Sequence, residues 1–134
     1  MIYLASPYTH PDTEIVAQRY NETMRVNASL LAAGRFVYSP IVHCHAMANA
    51  HTLPTEYEFW KNFNYHMIEC SNAVYFLLLP EWQNSKGMFG ELTYADMAGK
   101  GIYTVLLDAA NGYTVSLARP TELKKHFTKL ATRI

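Results

Sequence analysis

Short apolar runs alternate with longer amphipathic stretches along this chain, and the alternation predicts its elements. Ile2–Ala5, Phe36–Ser39, Ala73–Leu79 and Ile102–Leu107 are runs of strand length. The third is apolar throughout, as suits a parallel strand covered on both faces. After the first strand, Asp12 or Thr13 is a plausible N-cap for a helix over Thr13–Ala33. Ile15, Val16, Met24, Val26, Ala28, Leu30 and Leu31 are consistent with its buried face, and Gly34 with its C-cap. Pro40 ends the second strand, and Ile41–His51 is expected to be a loop on a pocket rim. Pro54-Thr55-Glu56 opens a helix reaching Cys70, with Tyr57, Phe59, Trp60 and Phe63 in its first turns. Met88–Ala98 reads as the next helix, ended by Gly99-Lys100-Gly101. A final helix starts at Pro120 with Leu123, Phe127 and Leu130 on one face.

Between Leu107 and Tyr113 lies only the turn signal Asp108-Ala-Ala-Asn111-Gly112. A parallel crossover needs about a dozen residues, so Tyr113–Leu117 is expected to be a hairpin-like edge strand. The order βαβαβαβ(β)α predicts an α/β fold in one domain, residues 1–134. Its architecture is a three-layer α/β/α sandwich, flavodoxin- or Rossmann-like, with a mainly parallel sheet of about five strands.

Composition narrows the function classes. The 134 residues are 50% hydrophobic and 16% charged with net charge +0, which excludes disorder and any electrostatic footprint for a nucleic-acid polymer or anionic membrane. A small anionic ligand held by local donors stays open. Cys44 and Cys70, the 2 cysteines, are expected to be reduced and buried. Neither a signal peptide nor a long apolar run stands at the start, so a cytoplasmic protein is expected. His43-Cys44-His45 fits no zinc-ligand spacing, and no second cluster accompanies it and His51, so no metal is expected. GxGxxG and GxxxxGK[ST] are absent, which lowers dinucleotide and NTPase readings, and no cofactor is expected.

The candidate chemistry lies in Glu81–Ala95, where an apolar strand ends, a polar loop follows and a helix begins. In open α/β sheets that junction binds ligands, and the helix N-terminus offers N–H groups to an anion. Gly87, Glu91, Ala95 and Ala98 share a helix face at i, i+4, i+8 and i+11 spacing, so small residues flank one carboxylate and leave a ligand room to approach it. Gly90 is open to a simpler reading, close packing.

The pattern Ser85-x-Gly87-x-x-x-Glu91, after an apolar strand and Trp82, resembles the nucleoside 2-deoxyribosyltransferase superfamily, which includes nucleotide N-glycosidases. The opening Ile2-Tyr3-Leu4-Ala5-Ser6-Pro7-Tyr8 resembles its first strand and substrate loop. The resemblance implies Glu91 as nucleophile at the anomeric carbon, Tyr3 as the hydrogen-bonding residue that orients it, and Ser6, Pro7 and Tyr8 lining the substrate loop. Ser85 stands where free-nucleoside transferases carry Asp and 5′-monophosphate N-glycosidases carry Ser, which favours a nucleotide; Lys86 adds positive charge. Trp82 has two readings, a wall for the base or core packing.

Two positions depart from the superfamily, which commonly has Asp where this chain has Asn64 and Asn72. Asn64 stands in for the group that handles the base's proton; an amide cannot do so but can hydrogen-bond base or sugar. His43 or His45 remains open as a substitute acid. The short Asp108–Gly112 turn omits a segment that in the transferases helps complete a neighbour's pocket. The expected function is N-glycosidic cleavage of (deoxy)nucleoside 5′-monophosphates; base-exchanging transfer and a nucleotide-binding module without catalysis are the alternatives. The expected partner is a small nucleoside or nucleotide. A homodimer through the helices flanking the site is expected, since the resembling family is oligomeric.

Overall fold

The computed structural model describes residues 1–133. Its elements are β1 (Ile2–Ala5), α1 (Thr13–Ala32), β2 (Val37–Tyr38), α2 (Pro40–His51), α3 (Tyr57–Glu69), β3 (Ala73–Leu77), a short 3-10 turn (Trp82–Asn84), α4 (Lys86–Met97), β4 (Gly101–Leu107), β5 (Tyr113–Leu117), α5 (Pro120–Lys125) and α6 (Lys129–Thr132). The sheet order is β2-β1-β3-β4-β5, with every pair parallel except β4–β5. The expected α/β sandwich and its antiparallel edge strand are both present.

Alternation along the central strands divides the core in two. Tyr3, Ala5, Val74 and Phe76 point to one face, under Ile68 of α3, Met88, Leu92 and Ala95 of α4, Leu123 of α5, Phe127 from the break that follows it, and Ala131 of α6. Leu4, Tyr75, Leu77 and Val105 point to the other, under Val26 and Leu30 of α1. Both faces of β1 and β3 are therefore dry, which is why these strands read as unbroken apolar runs.

Four sequence-derived expectations about elements need correction. Ile41–His51 is helical, not a loop: Ser39 caps α2 by accepting the Val42 N–H at 3.2 Å, and Pro40 sits in its first turn. A proline there starts a helix as well as stopping a strand, because its missing N–H has no helical partner to lose. The buried face of α1 is Arg19, Thr23, Val26, Asn27 and Leu30, while Met24, Ala28 and Leu31 are exposed. The last helix is broken into α5 and α6, so Ala131 is buried in place of Leu130, which is 65% exposed. Cys70 is exposed at the end of α3; only Cys44 is buried, and both thiols are free.

The order makes a switch point between β1 and β3. From β1 the chain turns through α1 to β2 on one side; from β3 it runs through α4 to β4 on the other. The loops leaving the carboxyl ends of these two strands diverge there and leave a crevice. Asp108 shapes the far hairpin, its Oδ1 accepting from Ala110 and Gly112 at 2.9 and 3.0 Å with Asn111 left-handed at φ 61°.

Candidate active site

The crevice holds a cavity of about 350 Å³, lined by the loop after β1, one face each of α2 and α3, and the start of α4. From α3 come Tyr57, Trp60 and Asn64, at i, i+3 and i+7. From α2 come Pro40, Cys44 and Ala48, four residues apart along one stripe. From α4 come Lys86, Gly87 and Glu91, preceded by Asn84 and Ser85. Ser6, Tyr8 and Thr9 complete the wall.

Glu91 is the central feature. Its side chain lines the cavity yet is only 4% exposed, and it accepts a hydrogen bond from the Tyr3 hydroxyl, fully buried on β1. Burial raises the carboxyl from 4.5 to about 8, against the opposing pull of the Tyr3 bond. Burial and the adjacent carboxylate together push the Tyr3 hydroxyl well above its ordinary value. No Lys, Arg or His among the described residues pairs with Glu91.

Ser85 is the N-cap of α4, its hydroxyl accepting the Met88 N–H at 3.2 Å, and it also lines the cavity. Asn64 is 6% exposed, lines the same cavity, and its Oδ1 has no hydrogen-bond partner. Such an orphaned buried acceptor is uncommon. The Tyr8 hydroxyl shares a hydrogen bond of 2.5 Å with Nδ1 of His45, while the Asn49 amide lies 3.3 Å from Nε2 and Tyr20 stacks on the ring. Burial lowers the His45 pKa. Burial raises the Cys44 thiol to about 11, so it is a small apolar wall group rather than a nucleophile.

The structure thus gathers Tyr3, Ser6, Tyr8, Asn64, Ser85, Gly87 and Glu91 around one cavity. It does not bring the remaining three candidates there. Asn72 is exposed before the first residue of β3, at the opposite end of that strand, where its Oδ1 accepts from the Met1 amino group at 2.8 Å. Pro7 is fully buried behind the loop and touches no part of the cavity surface. Trp82 is half-buried and packs edge-on against Phe127 at 5.1 Å, at the edge of the core rather than on the cavity.

The small-residue face of α4 also does something other than expected. Ala95 is buried in the core and Ala98 is the C-cap. A Cβ at Gly87 would sit 3.0 Å from the Tyr57 ring, and one at Gly90 would sit 2.6 Å from the Tyr57 hydroxyl. Both glycines admit Tyr57, whose hydroxyl donates to Tyr65 at 2.7 Å. The clearance around Glu91 is thus framed by an aromatic ring lying across the helix.

Of the three histidines weighed, only His45 reaches the cavity; His43 stacks on Phe63, and His51 is exposed at the end of α2. Among the described residues no three His, Cys, Asp or Glu side chains form a metal-sized cluster. No helix among them is long and apolar enough to cross a membrane.

Arg19 had no signal in the hydrophobic pattern. It is buried in α1 and donates to the carbonyls of Thr9 at 2.9 Å and Pro80 at 3.3 Å, joining the loops that follow β1 and β3. Glu81, left-handed at φ 67°, lies 4.0 Å from that guanidinium and 3.2 Å from His10. A charged residue at the buried position of an amphipathic helix would have been the clue.

Fold and site together define an α/β protein with a crevice of about 350 Å³ at its sheet switch point. The chain belongs to the family described as Domain of unknown function (DUF1937), whose model matches residues 1–106. That span contains β1, β3, α4 and every residue lining the cavity. No curated protein matches the sequence.

Proposed function

We propose that this protein cleaves the N-glycosidic bond of (deoxy)nucleoside 5′-monophosphates, with Glu91 as its nucleophile. The observation that supports this most is a buried carboxylate, held by Tyr3, at a cavity whose other end is a helix N-terminus. Glycosidic cleavage builds positive charge on the sugar at the anomeric carbon, and an adjacent carboxylate stabilises or captures it. From Ser85 to Glu91 the helix rises about 9 Å, a length that a sugar 5′-phosphate with its hydrogen bonds covers. Ser85 and the first N–H groups of α4 suit the phosphate, with exposed Lys86 beside them. Tyr8, Tyr57 and Trp60 suit a flat base.

The test is chromatographic release of free base from a panel of nucleosides and 5′-monophosphates, with Glu91→Gln alongside. Release from monophosphates is expected, with a loss of at least ~10³-fold in the variant, about 4 kcal/mol of barrier. Release only in the presence of an acceptor base would assign the site to base exchange. Nucleotide binding without turnover would make it a receptor.

A further inference from the structure

Glu91 is a buried carboxylate without a counter-ion. Its one donor, the Tyr3 hydroxyl, is neutral, and Lys86, the cation of the cavity lining, is solvent-exposed and outside ion-pair distance. An ion left in this state is costly and favours a ligand of opposite charge.

Apart from Glu91, which this reading uses as the nucleophile, the same cavity has no buried group placed to hand over a proton. Asn64 is an amide. Both ring nitrogens of His45 already face partners. The Tyr57 hydroxyl is committed to Tyr65, and burial pushes it up. Glu56 reaches the lining from an exposed position. Among the lining residues, Glu91 is the one buried carboxyl.

Proton demand separates the classes of N-glycoside. Adenine or thymine departs as an anion unless a proton reaches its ring while the C1′–N bond breaks. A pyridinium base is cationic while attached and departs neutral. Resting on the N-glycosidase reading, we infer that the preferred substrate is a ribonucleotide with a pyridinium base of the nicotinamide type. The ring's positive charge is the one Glu91 lacks, and its departure asks nothing of Asn64.

The chemistry balances with water alone. The C1′–N1 bond breaks with its electron pair going to the ring nitrogen, and a Glu91 oxygen forms an ester bond to C1′. Water then adds its oxygen to C1′, the ester bond returns its pair to the carboxylate, and one proton passes to solvent. The products are nicotinamide and ribose 5-phosphate. Before that step, a cation against Glu91 favours its ionised form over the protonated form that burial favours. Tyr8, Tyr57 and Trp60 offer faces for a planar cation.

The experiment measures base release by the full chain from nicotinamide mononucleotide, nicotinamide adenine dinucleotide, and the adenine, uracil and thymine 5′-monophosphates. Nicotinamide release is expected to exceed every neutral-base release by at least ~10²-fold in kcat/KM, the usual size of a missing general acid. The two nicotinamide arms distinguish mononucleotide from dinucleotide as the source. Asn64→Asp, nearly isosteric, is expected to raise neutral-base release ~10-fold or more by restoring a proton carrier. A binding measurement independent of turnover compares nicotinamide mononucleotide with its reduced, uncharged-ring form; the charged ring is expected to bind about 10-fold more tightly. Equal affinities, or neutral bases released as fast as nicotinamide, would overturn the pyridinium preference and leave the N-glycosidase reading standing. Release from no substrate would overturn both.

Discussion

The Tyr3 hydroxyl on β1 donates to the Glu91 carboxylate on α4, joining the first strand to the central helix across 88 residues of chain. The donor is buried and rigid because β1 lies between β2 and β3. It therefore orients the carboxylate and favours its ionised form, against the larger effect of burial. Tyr3→Phe removes the one favourable contact to the ionised form, so the Glu91 pKa should rise further. The acid limb of the pH–rate profile, where activity rises as Glu91 ionises, should move to higher pH, and stability should fall by ~1–3 kcal/mol. An unmoved limb would mean that Tyr3 does not act through Glu91.

Glu91 itself is expected to destabilise the fold as pH rises. Its carboxyl goes from 4.5 to about 8 on burial, so between those values the folded state binds more protons than the unfolded chain. Stability should then fall by up to about 1.4 kcal/mol per pH unit in that window and level off above it. Glu91→Gln should abolish this slope. In urea titrations the variant should match the wild type at the acid end and exceed it at the alkaline end. Parallel curves would refute the assigned protonation.

Gly90→Ala sets two effects against each other. Alanine gains up to ~1 kcal/mol of helix propensity. Its Cβ, however, would meet the Tyr57 hydroxyl at 2.6 Å and the Tyr65 hydroxyl at 3.0 Å. Tyr57 has to move, and it lines the cavity. The expected result is a thermal midpoint changed by only a few degrees with KM raised several-fold. Unchanged KM would show that Tyr57 yields away from the ligand.

The chain's 2 tryptophans report on different places. Trp60 lines the cavity, whereas Trp82 packs against Phe127. Nucleotide binding should change intrinsic fluorescence in the wild type and in Trp82→Phe, and leave it unchanged in Trp60→Phe. The reverse pattern would relocate the ligand to the surroundings of Trp82 and Phe127.

Arg19→Lys should cost ~1–3 kcal/mol in urea unfolding, because an ammonium cannot hold carbonyls as widely placed as those of Thr9 and Pro80. KM should rise with it, since Thr9 borders the cavity. A stability loss with KM intact would limit Arg19 to the fold.

What was legible in the sequence follows the strength of each physical signal. Ala73–Leu77 is dry on both faces, so its apolar run identified it, and the length of the Asp108–Gly112 turn was enough to predict an antiparallel edge. Glu91, Tyr3 and Ser85 followed from local pattern and resemblance, and they meet. Most misreadings share one cause: local sequence does not say which way a residue faces in the assembled fold. Asn64 and Asn72 both stand where the resembling superfamily has Asp, yet one lines the cavity and the other lies at the opposite end of β3. Trp82 is near the site in sequence and turned against the edge of the core. Tyr57 and Trp60 were visible as aromatics, but their face was decided by α3 packing on α4. Helix α2 was missed because Ser39-Pro40 serves equally as a strand stop and a helix start.

The Arg19 clamp grips main-chain carbonyls, at Thr9 and Pro80, and takes hold of no side chain there by hydrogen bond. Every amino acid supplies such a carbonyl. Side-chain changes at Thr9 and Pro80 therefore leave both bonds of the clamp available, and the gap between the loops keeps its width. A crevice built in this way is suited to acquiring new ligands by point substitution without first loosening its frame.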